Sequence, residues 1–253
     1  MAAACGVSRA VVLAFDRELD SAAADRFKAL VERRAAREPL AYIIGKREFY
    51  SLEFVVRPGV LIPRPDTETL VETALEFVRL RPDATVLDLG TGSGAIAIAI
   101  AMHAPRARIV ASDISKVSLE IAAENIRRHR CADRIALRAG DCWEALEETC
   151  APFDLIVSNP PYVVDGELRA LAPEVRDYEP RIALAAGHDG MDFYRRIASG
   201  LPRWLVRGGE VMLEIFAGRA QAVETIVRGC GCEALAQVRD LAGIERVVRA
   251  RRI

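Results

Sequence analysis

Apolar residues change their spacing along the chain, and the changes divide it into parts. Over the first forty residues they recur at helical intervals, as Val11, Val12 and Phe15 and then Ala23, Phe27, Leu30 and Val31. Asp20-Ser21 between the two sets predicts a stop followed by a helix N-cap. From Tyr42 the helical period is lost. The run Glu48-Phe49-Tyr50-Ser51-Leu52-Glu53-Phe54-Val55-Val56 predicts a β-hairpin or extended connector. The segment Pro58-Gly59-Val60-Leu61-Ile62-Pro63-Arg64-Pro65 follows, and its prolines exclude a central strand or helix.

Beyond Asp66, strand-like and helical runs alternate, which marks βαβ units on a parallel sheet. An amphipathic helix is expected over 67–80, with strands over 85–89, 108–112, 135–139, 155–158, 210–215, 234–239 and 246–250. Helices are expected over 95–102, 116–130, 192–206 and 219–228. A turn at Gly243 between the last two strands suggests an antiparallel closing hairpin. The expected organisation is a helical part over 1–41, a hairpin and Pro-rich linker over 42–65, and an α/β domain over 66–253.

Bulk properties narrow the function. The 253 residues are 51% hydrophobic, enough to bury a large core with a small appendage. Lys and Arg number 35 against 36 Asp and Glu, whereas a domain that holds phosphate backbones is usually basic. Direct nucleic-acid binding is therefore not expected. The cluster Arg246, Arg249, Arg251 and Arg252 reads either as a basic patch or as a charged strand edge. Six cysteines without a C-x-x-C pair and three scattered histidines resemble neither a disulfide framework nor a metal site. The apolar start over 2–15 is broken by Arg9 and has no basic leader, so no signal peptide or membrane span is expected. A cytoplasmic protein without metal is the expectation.

Two stretches carry chemistry. Val86-Leu87-Asp88-Leu89 runs into Gly90-Thr91-Gly92-Ser93-Gly94 and then into an apolar helix. Glycines there allow a sharp turn and the close approach of a ligand to backbone, and the helix start beyond offers free N–H groups. Dinucleotide cofactors use G-x-G-x-x-G/A, which Gly90, Gly92 and Ala95 meet only by forcing. S-adenosylmethionine enzymes carry D/E-x-G-x-G-x-G, which Asp88 to Gly94 meet directly. Asp113, after the next strand, stands where an acid grips a ribose diol in either cofactor. In Gly140-Asp141-Cys142-Trp143, Asp141 either accepts from an adenine amine or caps the turn that follows.

The second stretch ends the strand over 155–158 at Asn159-Pro160-Pro161-Tyr162. Consecutive prolines cannot continue a ladder, and the residue before a proline is pushed extended. The corner is rich in acceptors and poor in donors: the Asn159 side-chain oxygen, the Pro160 carbonyl and a Tyr162 ring. It suits a planar –NH2 group whose two protons are bonded there while its lone pair faces a methyl donor. A nucleobase amine and a side-chain amide both meet that description.

At these residues the sequence resembles the N-P-P-Y amino-methyltransferases, which act on nucleic-acid amines or on protein glutamine. The resemblance extends to Arg37-Glu38-Pro39-Leu40-Ala41-Tyr42-Ile43-Ile44-Gly45, Glu48-Phe49-Tyr50 and Leu61-Ile62-Pro63-Arg64-Pro65-Asp66-Thr67-Glu68. It continues at Tyr178-Glu179-Pro180 and from Gly187 to Arg195. These motifs resemble the peptide chain release factor glutamine methyltransferases. That family implies a seven-stranded, mostly parallel Rossmann-like sheet, a helical docking domain and a hairpin linker. It implies methyl transfer from S-adenosyl-L-methionine to the Gln of the GGQ loop of class-I release factors. A ribosomal-protein glutamine and a nucleic-acid amine are the alternative substrates. Carried over, the cofactor site is Gly90, Thr91, Gly92, Ser93, Gly94, Asp113, Asp141, Cys142 and Asn159. The catalytic corner is Asn159, Pro160, Pro161 and Tyr162. Three positions depart from the family. We expect a docking domain one helix shorter, the family's adenine-covering aromatic aligns with Cys142 ahead of Trp143, and its E-I-G turn reads Glu214-Ile215-Phe216-Ala217-Gly218.

Overall fold

Short helices open the chain. α1 (Ala2–Cys5) closes on Gly6, and α2 (Arg9–Ala14) follows. The computed structural model describes residues 1–14 and 20–253, so Phe15 of the first predicted face lies outside the described residues. α3 (Ser21–Ala35) starts as its sequence predicts, with the Asp20 carboxylate accepting from the Ala23 N–H at 2.7 Å. Arg26 ties it to α1 by donating to the Ala4 carbonyl at 2.8 Å. α4 (Leu40–Ile44) leads into the hairpin of β1 (Lys46–Phe49) and β2 (Leu52–Val55). Phe49 pairs Leu52, which leaves Tyr50 and Ser51 as the two-residue turn. Their φ values of 51° and 58° give the twist that flanking strands require, at a steric cost for non-glycine residues. The Glu68 carboxylate holds the Tyr50 N–H at 2.8 Å, and the Tyr50 ring stands edge-on to His103.

The rest is a three-layer α/β unit. In chain order it comprises α5 (Glu68–Leu80), β3 (Thr85–Leu89), α6 (Ala95–His103), β4 (Arg108–Asp113), α7 (Lys116–Arg128), β5 (Ile135–Ala139) and β6 (Phe153–Ser158). Then come α8 (Pro173–Arg176), α9 (Asp192–Trp204), β7 (Leu205–Glu214), α10 (Ala220–Arg228), β8 (Cys232–Ala234), β9 (Val238–Arg239) and β10 (Glu245–Arg252). The sheet runs β5-β4-β3-β6-β7-β10-β8, parallel from β5 to β7 and antiparallel beyond. Alternating strand residues feed two cores. Val86, Leu155 and Val157 join α5 and α6, whereas Leu87, Ile156 and Leu213 join α9 and α10. From Ala95 to Ala101 every residue of α6 is buried, as its unbroken Ala-Ile run requires.

Two strands differ from expectation. β7 begins at Leu205 because Leu205 already pairs Phe153, and the irregularity that follows spans Gly208, with φ of 74°. The strand expected over 234–239 is split into β8 and β9, which pair different stretches of β10, the β9 pairing with a register shift between Glu245 and Val247. The end of the chain is thus an antiparallel closure around β10.

The Pro-rich linker lies against α7, where Tyr42, Val56, Val60, Ile62 and Ile121 form a small core. The Tyr42 hydroxyl donates to the Val60 carbonyl at 2.5 Å. Glu179 fastens the linker from the other side, accepting from the Ile62 N–H at 3.2 Å and from Arg64 at 2.5 Å. Near it, Arg34 and Arg37 both reach Glu174, and the Tyr178 hydroxyl donates to the Ala36 carbonyl. The Glu179 side chain is 1% exposed but Arg64 is 32% exposed, so Arg64 can turn to water if its partner is removed. Glu179→Ala should therefore cost about 2–3 kcal/mol, less than breaking a fully buried pair. Thermal unfolding should show a midpoint lower by about 5–10 °C; an unchanged midpoint would refute the role assigned to this contact.

Candidate active site

The glycine turn sits where β3 meets α6. Gly90 and Thr91 N–H groups both donate to the Ser112 carbonyl at 2.9 Å, which seats the turn on the end of β4. Gly90, Gly92 and Gly94 have φ of 72°, 56° and 82°, a conformation side chains resist. Their surroundings differ. A Cβ at Gly90 would meet nothing within 4 Å, whereas one at Gly94 would crowd Ile98 and Ala122 at 3.1 and 3.4 Å. Gly94 therefore serves helix packing, and Gly90 leaves backbone open to a ligand.

Two carboxylates brace the turn. Asp88 is fully buried and accepts from the Thr91 hydroxyl at 2.7 Å and the Ala97 N–H at 3.2 Å. Its other oxygen is buried without a partner, and burial raises its pKa to about 7. Asp113 accepts from the Gly92 N–H at 2.9 Å and the Ser115 N–H at 2.8 Å, one bond to each oxygen. Burial raises its pKa as well, against those bonds.

A cleft of about 1250 Å³, open to solvent, runs from this turn to the end of β6. Gly90, Thr91, Gly92, Ser93, Asp113, Asp141, Cys142, Asn159, Pro160 and Pro161 all line it. Gly94 stands behind the turn, and Tyr162 is also absent from the lining. The Tyr162 ring instead packs on the α9 core and lies 6.0 Å from Phe216. Burial pushes its hydroxyl up to about 12.

At the far end, Cys142 and Trp143 take different positions. The Trp143 N–H donates to the Arg196 carbonyl at 2.8 Å, and the indole fills the space that Gly200 leaves on α9. Cys142, with φ of 54°, is the residue that faces the cleft. Asp141 makes no side-chain cap bond; its carboxylate pairs with Arg196 at 2.6 Å. Arg196, Phe193 and Ile197 line the cleft from one face of α9. Their i, i+3, i+4 spacing was present in the sequence but is shared by any amphipathic helix.

At the near end, the Ser158 hydroxyl donates to the Leu89 carbonyl at 2.7 Å and joins the tips of β6 and β3. Asn159 follows, half-buried, and its Nδ2 donates to the Thr67 hydroxyl at 3.1 Å. The other end of the amide is Oδ1, and Asn159 lines the cleft. Arg64 of the linker and Thr67, two residues beyond it, also line the cleft. The arginines of β10 are not a free patch: Arg246 pairs Asp66 and Asp240, while Arg249 and Arg251 share buried Glu210. Arg252 donates to the Leu205 carbonyl. Among the described residues, no His, Cys, Asp and Glu group could hold a metal, and no helix is long and apolar enough to cross a membrane.

Comparison with known proteins fits this geometry. A family model described as "Methyltransferase small domain" matches residues 65–174, and the "PrmC N-terminal domain" matches residues 1–45. A release factor glutamine methyltransferase from Geobacter sulfurreducens is 44% identical over 252 residues, covering 99% of this chain and 87% of that one. The chain belongs to the release factor glutamine methyltransferase family. A second member, from Cereibacter sphaeroides, is 45% identical over 90% of this chain and 80% of its own. Among solved structures, the ribosomal protein L11 methylase of Lactobacillus delbrueckii subsp. bulgaricus shares the fold at TM-score 0.55 and 22% identity, covering 78% of this chain and 84% of that one. A Pyrococcus furiosus methyltransferase does so at TM-score 0.56 and 16% identity, covering 90% and 98%.

Within this methyltransferase the partnerless Asp88 oxygen gives a pH test. Its pKa is raised from about 3.8 unfolded to about 7 folded, so the folded state binds the extra proton between those values. The group's contribution is full below about pH 4 and is lost as pH rises through about 7. Thermal unfolding of ligand-free Asp88→Asn should show higher stability than wild type at pH 8 and no such advantage at pH 4. Parallel curves for the two proteins would exclude this account.

Proposed function

We propose that this chain transfers a methyl group from S-adenosyl-L-methionine to the side-chain amide nitrogen of the Gln in the GGQ loop of class-I release factors. The observation that carries the reading is the placement of Asn159, which lines the cleft beside the glycine turn with its Nδ2 spent on Thr67, so that Oδ1 is the end left to accept from an incoming amide. The residues present fit the cofactor. The open face of Gly90, the turn that follows it and Asp113 would hold its nucleoside and amino-acid ends, and Asp141 and Cys142 its adenine. When bound, the cofactor supplies an electrophilic methyl on a cationic sulfur. The chain's own work is then positional. Asn159 Oδ1 and the Pro160 carbonyl accept the two amide protons, which fixes the nitrogen and aims its lone pair. The same two acceptors stabilise positive charge as it grows on that nitrogen. As the N–C bond forms, the bond from methyl to sulfur breaks, the neutral thioether departs with its electron pair, and one of those protons leaves to solvent.

Tyr162, set back against Phe216, would shape the wall behind Pro161 and form no part of the lining. The helical part over 1–41 would dock the substrate protein. α3 buries only Ala23, and Val31 and Leu40 stand 47% and 60% exposed on that side of the linker. The linker over 42–65 joins it to the catalytic unit over 66–253. The paired arginines of β10 and the near-neutral charge favour a protein over a nucleic acid, in the cytoplasm where release factors act.

Incubation with methyl-labelled cofactor and a release factor should label the factor, and the Gln→Ala variant of its GGQ loop should stay unlabelled. Label on that variant would overturn the substrate. Asn159→Ala should lower turnover by about 10²-fold or more while cofactor affinity, read by calorimetry, changes far less. Equal losses would make Asn159 chiefly a cofactor ligand.

A further inference from the structure

The linker hairpin has an outer edge, and α7 covers it. Glu53 and Val55 are alternate residues of β2, so their main-chain groups point off one edge of the strand. His129, just past the end of α7, donates from Nε2 to the Glu53 carbonyl at 3.0 Å. Asn125, one turn earlier, takes both main-chain groups of Val55. Its Oδ1 accepts from the Val55 N–H at 2.8 Å, and its Nδ2 donates to the Val55 carbonyl at 3.1 Å. The side-chain amide thus stands in for the strand that this edge lacks. Glu124 and Arg128, on the same face of α7, pair with Arg57 and Glu53 nearer the surface.

Asn125 differs from those neighbours in being completely buried and in reaching further. Its Nδ2 also donates to the Ser93 carbonyl, at 2.9 Å, inside the glycine turn. Three partners fix which way the amide faces: a flip would set its oxygen against two carbonyls and its nitrogen against an N–H. Ser93 precedes Gly94, the cap of α6, whose own carbonyl accepts from the Ile98 N–H at 2.9 Å. The Ser93 carbonyl therefore falls outside the helix ladder, and Asn125 supplies its partner. The N–H groups of Gly90, Thr91 and Gly92 are held from the sheet, by the Ser112 carbonyl and the Asp113 carboxylate. At Ser93 the turn is held from the side of the linker.

We propose that Asn125 is a positioning residue for the cofactor turn, and that through it cofactor affinity depends on how the hairpin sits on α7. A turn with three glycines at positive φ has much freedom to lose. Fixed beforehand at both ends, it need not be ordered when a ligand arrives. Val55 does not line the cleft, whereas Ser93 does, so one buried amide joins a segment outside the site to one inside it. The inference rests on the reading of this turn as the seat of S-adenosyl-L-methionine.

The test is calorimetry of S-adenosyl-L-methionine with the full chain, well below the unfolding midpoint of every variant. Asn125→Ala should raise the Kd about tenfold or more. Val55→Pro removes the N–H that meets Oδ1, off the hairpin's own ladder, and should raise the Kd about three- to fivefold. In the Asn125→Ala background the same proline should add nothing. His129→Ala loosens the hairpin without touching the turn, and its Kd should stay within about twofold of wild type. With a release factor as substrate, the KM for the cofactor in Asn125→Ala should rise with the Kd while kcat stays within about threefold. A wild-type Kd in Asn125→Ala would overturn the proposal. So would a His129→Ala Kd raised as far, which would make the effect general loosening. If Asn125→Ala does not fold, Val55→Pro against His129→Ala makes the same comparison. Amide exchange in the ligand-free chain separates this inference from the cofactor reading. The N–H groups of Gly90, Thr91 and Gly92 should exchange faster in Asn125→Ala and Val55→Pro but not in His129→Ala, and equal rates throughout would sink the positioning claim. A wild-type chain that binds no S-adenosyl-L-methionine would count against the cofactor reading, and the exchange rates would still decide the role of Asn125.

Discussion

The grip of Glu179 on the linker sets the geometry on which the site depends. One carboxylate holds the Ile62 N–H and the Arg64 guanidinium, and so fixes the path of the chain five and three residues before Thr67. Prolines 63 and 65 remove most remaining freedom between those points and the start of α5. Thr67 therefore arrives beside Asn159 as a consequence of a contact made by the segment that follows β6. A buried ion pair is weak evidence for stability, since desolvation offsets much of the attraction. Its value here is register. Glu179 lies on the segment that follows Asn159-Pro160-Pro161, so the clasp closes a ring between the catalytic corner and the linker that caps it.

Around that ring the protein keeps carboxylates where burial opposes their charge. Asp88 and Glu214 are each buried, each leave one oxygen unpartnered, and each are raised to about 7. Neither lines the cleft. Asp88 stands one step behind it, through Thr91 at the cofactor turn. A threonine hydroxyl held by an acceptor-only group loses its choice of proton direction and becomes a fixed acceptor toward its other neighbour. Such pre-organisation costs stability in the ligand-free protein and is retained where orientation matters more.

The sequence made much of this legible, and the parts it hid share a cause. The glycine turn, Asp113 and the end of β6 were readable because local rules dictate them: positive φ, strand-to-helix change, and prolines that stop a ladder. The split of β8 from β9 and the early start of β7 were not, because both depend on register against a partner strand. The same holds in the site. Asn159 and Pro160 announce themselves, but Thr67, Glu214, Arg196 and Phe193 enter through long-range packing. Trp143 shows the limit plainly. Its position beside Asp141 suited a ring cover, yet the gap left by Gly200, 57 residues on, draws the indole into α9.

Position 142 departs from the family and changes the wall of the cleft. With Cys142 at the cleft and Trp143 turned away, this end is bounded by the Asp141–Arg196 pair and by Phe193, whose ring centre lies 5.3 Å from the Arg196 guanidinium. Cationic side chains near the cleft are matched, Arg64 by Glu179 and Arg196 by Asp141, so the cleft carries little net field toward an anion. A neutral amide needs none. The methyl donor brings its own positive charge, and a site with matched cations adds little repulsion against it.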